Sequence, residues 1–363
     1  MDKVNLFING KIYDGWKSAE IKRSLKAASG SFSLSVTDRW TQKQEPWIIA
    51  PGDAAELKIG SDLIVTGYID TVSADETKDS LSIAITGRDK TADLIDCSVE
   101  SKTGEFSNVT LKRLAEILCA PFSVEVVAPS SGTGGAFDVF KIQQGESVFE
   151  ALERAARKRG FLLTTNGTGA LQITRPGSTR STTRLEQGQN ILSMGSVFDQ
   201  KARFSKYVVK GQDSTFNHTV DPAFAYSIKA TATDPTVKRY RPLVIQSEQL
   251  TNLSDAKTRA NWEATVRAAR ASKFNLVLQG WRQGDGSLWR PNQLVLAIAP
   301  RIGLNGEMLI TDVAYSITSD GGSLSTLSLE RKDAYTPEPE VPEKADPLVQ
   351  AIKKDPGIKR GAQ

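Results

Sequence analysis

Residues 31 to 36 read Ser-Phe-Ser-Leu-Ser-Val, polar and apolar in strict alternation. A period of two puts successive side chains on opposite faces, so this stretch suits a strand with one covered face and not a helix. The same period recurs at Leu81, Ile83 and Ile85 among Ser82, Ala84 and Thr86, and at Val4, Leu6 and Ile8. The last of these runs into Asn9-Gly10, a pair that tolerates positive φ at both positions and so predicts a two-residue hairpin. Leu63 to Val72 is β-branched and aromatic, with Gly67 where a bulge or bend is expected. Residues 1–99 therefore read as a small antiparallel barrel or sandwich.

The period then changes. Leu111, Leu114, Ala115 and Leu118 follow helical spacing after Thr110, and Pro121 stops them. Ser147-Val-Phe-Glu150 is a capping box, Val148, Leu152, Ala155 and Ala156 form one stripe, and Gly160 suits a left-handed cap. Strands at Phe161–Thr165 and Leu171–Thr174 complete an α/β domain over 100–180. Residues 181–212 read as strands joining the two β blocks, and 213–274 as a helix-containing α/β insertion with a helix from a cap near Ser254 to about Ala271. Strands resume over 275–336, at Asn275–Gly280, Gln293–Ile298, Glu307–Ile317 and Leu324–Glu330. The segment 337–363 is a proline-rich, charged tail. Within it Leu348, Val349 and Ile352 have two readings, part of a disordered tail or a peptide that docks on a neighbour.

The two β blocks resemble each other. Ile64–Asp89 and Met308–Asp333 each present a long strand, a polar turn and an alternating strand closed by a basic residue and aspartate. Without a gap, Ile69 falls on Val313, Ile83 on Leu327, Ile85 on Leu329, Arg88 on Lys332 and Asp89 on Asp333. Duplication of one module is one reading; the agreement of any two hairpins of similar length is the other.

Composition excludes more than it identifies. At 363 residues the chain has room for several domains, and 39% hydrophobic with 24% charged residues is globular. A net charge of +4 gives no argument for a nucleic-acid field. The N-terminus lacks a signal-peptide pattern, and no apolar run approaches the ~20 residues of a membrane helix, so a soluble protein without membrane insertion is expected. Cys97 and Cys119 lack metal-ligand spacing and read as buried, reduced thiols.

Catalysis finds little footing. His218, the one histidine, lies in a polar stretch rather than a framed triad. The same scarcity argues against zinc. Ser130 to Gly135 is glycine-rich but lacks the Lys-Ser/Thr of a phosphate loop. Trp16, Trp40, Trp47, Trp281 and Trp289 suit core or interface packing better than stacking on sugars or bases. Arg154, Arg157, Lys158 and Arg159 are explained by a helix C-terminus. No catalytic residue, metal site or cofactor is expected.

Several ordered motifs carry a family resemblance. Pro51-Gly52-Asp53, Val65-Thr66-Gly67-Tyr68-Ile69-Asp70, Gly87-Arg88-Asp89 and Asp96-Cys97-Ser98 come first. They are followed by Tyr207 to Gln212, Ala260-Asn261-Trp262-Glu263, Gly280-Trp281, Leu288 to Asn292, Asp320-Gly321-Gly322, Leu327-Ser328-Leu329 and Asp333-Ala334-Tyr335. In this order they resemble the baseplate hub proteins of contractile-tailed, Mu-like phages. The resemblance implies an α+β, β-dominated fold, with two small antiparallel β-barrels separated by α/β domains, assembling as a trimeric ring. It further implies a structural, non-enzymatic hub in the virion tail baseplate, assembled in the bacterial cytoplasm, that adapts a six-fold tail tube to a three-fold spike. The partners implied are further copies of the chain, the tail tube protein, the central spike protein and other baseplate proteins, with DNA passage through the pore left open. The competing readings are a tail-associated cell-wall glycan hydrolase using two carboxylates and a carbohydrate-binding module using the tryptophans.

Overall fold

The computed structural model describes residues 2–38, 49–78, 81–212, 227–247, 252–318 and 322–339. His218, Trp40, Trp47, Asp320-Gly321 and the tail residues Leu348, Val349 and Ile352 lie outside them. The chain divides into two compact units. The first comprises 1–203 with 265–337, and the second 204–264 with 338–363.

In the first unit the strands β1 (Val4–Ile8), β2 (Lys11–Tyr13), β3 (Ser18–Ser24), β4 (Ser31–Asp38), β5 (Ala54–Ile59), β6 (Asp62–Glu76) and β7 (Leu81–Asp89) come first. The expected hairpin forms, with Ile8 opposite Lys11 and positive φ at both Asn9 and Gly10. Alternation acts as anticipated: Val4, Leu6, Ile8, Phe32, Leu34 and Ile85 are all buried in one core. Gly67 has another role than the one its sequence position suggested. The bulge of β6 falls between Ile69 and Thr71, whereas Gly67 sits where a Cβ would collide with the backbone of Arg88 and Asp89. Glycine there permits a close approach of strands rather than a bend.

Next come α1 (Ala92–Asp96), β8 (Glu105–Val109), α2 (Leu111–Cys119), β9 (Val126–Val127), β10 (Phe137–Lys141), α3 (Val148–Lys158), β11 (Leu162–Thr165) and β12 (Leu171–Thr174). The Thr110 hydroxyl accepts from the Arg113 amide, and both halves of the Ser147/Glu150 capping box are made. Gly160 takes φ 70°. The predicted stripe on α3, joined by Ala151, packs with Leu111, Leu114 and Leu118 of α2 and with Leu163 and Ile173 in a second core. Burial raises the pKa of Cys119 in that core to about 12. Cys97 is different: it is exposed, because it caps the short helix α1 at the surface.

The chain continues through β13 (Thr179–Arg180), β14 (Leu185–Glu186) and β15 (Ile191–Phe198). The second unit follows with β16 (Lys206–Gln212), β17 (Ser227–Thr233) and β18 (Pro242–Gln246), a sheet in which β16 lies between the other two. α4 (Leu253–Arg270) starts in this unit and ends in the first. Its Ala256 and Ala260 pack with Tyr207 and Val209. The Asp255 amide donates to the Asn252 side chain at 2.9 Å, so the helix is capped two residues earlier than Ser254. Back in the first unit are β19 (Ser272–Gln279), β20 (Gln293–Ala299), β21 (Leu304–Thr318) and β22 (Gly322–Glu330).

Among the described residues, the β strands of the first unit outside its α/β part form one 14-stranded sheet, with the path β15-β19-β22-β21-β3-β4-β7-β6-β5-β1-β2. No closed barrel is seen among the described residues. The two barrels expected from the sequence are open modules that share a sheet, because the outer half of β21, Asp312–Thr318, pairs antiparallel with β3 instead of closing on its own module.

The modules repeat one topology. Strands β3, β4, β5, β6 and β7 stand in the order β3-β4-β7-β6-β5, and β15, β19, β20, β21 and β22 stand in the order β15-β19-β22-β21, with β20 on the far side of β21. Both long strands carry a bulge against the return strand, at Ile69/Thr71 and at Ile310/Asp312. This corrects the ungapped correspondence. Ile69 matches Ile310 rather than Val313, and Ile85, opposite Val72, matches Leu327, opposite Val313. The hairpins differ in length, since Glu76 pairs with Leu81 while Thr318 pairs with Gly322. An ungapped comparison cannot absorb that difference: it misplaces the return strand by two residues, which keeps the alternation in phase, and the long strand by three, where the bulge restores the buried phase and hides the slip.

Candidate assembly surface

Three sets of side chains bind the parts of the first unit to one another. Asp89, fully buried at the end of β7, accepts from the amides of Gly30 (2.9 Å) and Thr66 (3.2 Å). Burial pushes its carboxyl above the ordinary aspartate range, while the charge of Arg23 and the two amides pull it back. Arg23, also buried, donates from Nη2 to the Thr165 carbonyl at 2.7 Å, tying β3 to β11. Buried polar groups held this way by backbone partners lock geometry and offer no access to a substrate.

A second set crosses between modules. Arg282 donates to Asp2 through Nε, and through Nη1 to Asp62 and the Gly286 carbonyl, both at 2.7 Å. Hydrogen bonds to the Asp2 and Asp62 carboxylates raise its pKa. The third set is aromatic. Trp281 is 3% exposed and its Nε1 donates to the carbonyls of Ser316 (3.1 Å) and Leu324 (3.0 Å). Trp289 is 2% exposed, and its carbonyl accepts from the Tyr315 hydroxyl. Both indoles are core. A sugar cannot stack on these two, so the stacking role fails for both; Trp16 is half-buried against the same core.

No cluster of three or more His, Cys, Asp or Glu side chains able to hold a metal occurs among the described residues. None of their helices is long and apolar enough to cross a membrane. Arg154 is committed to structure, forking onto Glu146 at 2.8 and 2.9 Å and lying 4.4 Å from the Phe140 ring. Arg159 donates to the Ala136 carbonyl.

What the unit does present is sheet edge. β15 ends the strand path, and apart from a single bridge between Ile191 and Gln187 its strand neighbour among the described residues is β19. It reads Ile-Leu-Ser-Met-Gly-Ser-Val-Phe, without charge or proline. Leu192, Val197 and Phe198 are 58%, 58% and 62% exposed. An uncharged apolar edge of this length is a template for another strand. The second edge is on β6. Its inner half pairs with β5 as far as Tyr68, and beyond the bulge Thr71–Glu76 pairs with β7 alone among the described strands. All of Thr71–Glu76 is exposed except Val72, which is half-buried. The equivalent residues of β21 are covered by β3, and Val313 and Tyr315 there are buried.

The sequence reading treated 181–212 as joining strands and gave β15 no role. A signal was there: Leu192 and Val197-Phe198 place apolar groups on both phases of the alternation, which a one-sided strand has no use for.

Comparison with known proteins gives a consistent result. Residues 3–89 match the family described as Mu phage baseplate assembly protein GpP-like, N-terminal. Residues 91–175 match Baseplate hub protein gp44-like, second domain, and residues 252–338 match Mu phage baseplate assembly protein GpP, fourth domain. The baseplate hub protein gp44 of Escherichia phage Mu is 36% identical over 92% of this chain and 88% of its own length. The 43 kDa tail protein of prophage MuSo2 from Shewanella oneidensis superposes with a TM-score of 0.81 at 36% identity, covering 93% of this chain and all of that one. The tail protein from Neisseria meningitidis MC58 shares the fold, with a TM-score of 0.76 at 21% identity over 93% of this chain and 98% of that one.

Proposed function

Because the chain belongs to the baseplate hub proteins of Mu-like phages, we propose that three copies form a ring joining the tail tube to the central spike. A single observation carries this reading: one chain holds two β modules of the same strand order, each with a bulged long strand at the same place. Three such chains offer six similar modules in a closed ring. A tube of six-fold symmetry then finds six like contacts, while a spike of three-fold symmetry finds three identical subunits. The other baseplate proteins have the rim of the ring to dock on, and Leu348, Val349 and Ile352 of the C-terminal segment are the residues proposed to dock on a neighbour. Such a hub works through obligate interfaces rather than chemistry, in keeping with side chains such as Arg23, Asp89, Arg154 and Arg282 that are all occupied in holding the scaffold. The expected site of action is the tail baseplate, after assembly in the host cytoplasm.

Light scattering of the purified chain should return three times the 39.4 kDa of one chain, and electron micrographs should show rings with a central hole. A monomer at micromolar concentration and physiological salt, or a compact particle without a hole, refutes the ring.

A further inference from the structure

The sheet contains its own template for the contact between subunits. Inside one chain the two modules are joined where the outer half of β21, the long strand of the second module, pairs antiparallel with β3, the first strand of the first. Val313 stands opposite Arg23 and Ile317 opposite Ala19. If modules alternate around a ring, the same junction must recur between chains, now with the long strand of the first module, β6, and the first strand of the second, β15. Both have a stretch of unpaired edge among the described residues.

The register can be worked out. Val72 and Val313 are equivalent, since each is opposite an equivalent residue, Ile85 or Leu327, on its return strand. Leu34 and Leu276 are equivalent because they pair with those same two residues. Ala19 pairs with Leu34 and Met194 with Leu276, which makes Ala19 equivalent to Met194. Carrying the β21·β3 register over places Val72 opposite Phe198, Ser73 opposite Val197, Ala74 opposite Ser196, Asp75 opposite Gly195 and Glu76 opposite Met194.

We propose that β15 of one subunit adds antiparallel to the Val72–Glu76 edge of β6 in the next, in this register. The contact rests on the ring reading and supplies its residues. Several features fit. Phe198 meets the one half-buried side chain of the β6 edge, Val72. Phe198 already stands edge-on to Phe274, with ring centroids 5.7 Å apart, so its rotamer is set before the partner arrives. Asp75 and Glu76 keep the β6 edge charged, which discourages pairing of two β6 edges, whereas β15 carries no charge to repel them. The interface is heterologous, joining different patches of two copies, and such a contact closes only into a ring or runs on as a filament.

Cysteine pairs test it in the full chain carrying Cys97→Ser, since Cys97 is exposed. Ser73→Cys with Val197→Cys, and Ala74→Cys with Ser196→Cys, are neighbouring pairs, of which one is the non-hydrogen-bonded type whose side chains lie closer. Oxidised glutathione should convert at least one of these double variants into a covalent ladder ending at three chains on a non-reducing gel. Ser73→Cys with Ser193→Cys is out of register by four residues, roughly 13 Å along the strand, and should stay monomeric on that gel. Single variants should give no ladder. An oligomer in light scattering with no ladder from either aligned pair overturns this strand pairing and leaves the ring standing. Equal cross-linking by the slipped pair overturns the register. A monomer in solution overturns the pairing and the ring together.

Discussion

Replacing Gly67 by alanine tests the close approach on which the first module depends. The added Cβ would sit 2.7 Å from the carbonyl carbons of Arg88 and Asp89, and still closer to the Arg88 oxygen. Ordinary contact begins near 3.4 Å, and the opposing atoms are backbone, so β6 and β7 must part by roughly an ångström. The strain falls on the Gly67·Asp89 and Tyr68·Arg88 pairs. It pulls Asp89 away from the Gly30 and Thr66 amides, which it can reach only from its present position. Overpacking costs about 1–3 kcal/mol, and weakening two hydrogen bonds to a buried carboxylate costs about 1.5 kcal/mol or more each. We therefore expect a loss of about 4 kcal/mol, read from urea unfolding followed by tryptophan fluorescence. Gly135→Ala is the control: nothing lies within 4 Å of its Cβ and its φ is unrestricted, so it should change stability by less than about 0.5 kcal/mol. A loss below about 1 kcal/mol for Gly67→Ala would refute the account of this crossing.

Two further outcomes follow from the thiols and from one ion pair. Iodoacetamide should modify Cys97 in the native chain and leave Cys119 untouched until urea opens the α2–α3 core, as mass spectrometry of digests would reveal; native labelling of Cys119 contradicts its burial. The Arg154 fork holds the Glu146 carboxyl below the usual glutamate value, so its contribution is complete above about pH 4.3 and fades as pH falls through the lower folded-state value. Glu146→Gln should thus cost about 1 kcal/mol at pH 7, after screening by solvent, and progressively less as pH falls below about 4.3, in thermal melts across that range; a penalty that does not vary with pH would contradict the pairing.

Local order was readable wherever a residue's neighbours along the chain decide its state. The hairpin at Asn9-Gly10, the capping box at Ser147 and the alternation through Phe32, Leu34 and Val36 depend on φ preferences and periodicity, and each is met. The resemblance of the two β blocks was visible too, but its register was not, because a slip of two on the return strand, and of three across the bulge of the long strand, leaves inside and outside unchanged. Gly67 shows the same limit: a glycine admits a bend and a close contact equally well, and only the position of Arg88 distinguishes them. Cys97 was expected to be buried, and its place at the end of a one-turn helix decides otherwise.

By itself, then, the sequence determined the kinds of element, their order and the family to which they belong, since these rest on short-range preferences and on motifs in series. Only the tertiary structure decided that two modules share one sheet, that β21 carries β3 along its outer half, and that β6 and β15 are left with open edges. Strand partners are chosen among segments far apart in the chain, by burial and by hydrogen bonds that any strand of matching pattern can offer. Nothing local to β15 names its neighbour, and its exposed Leu192, Val197 and Phe198 acquire meaning only beside the empty edge they match.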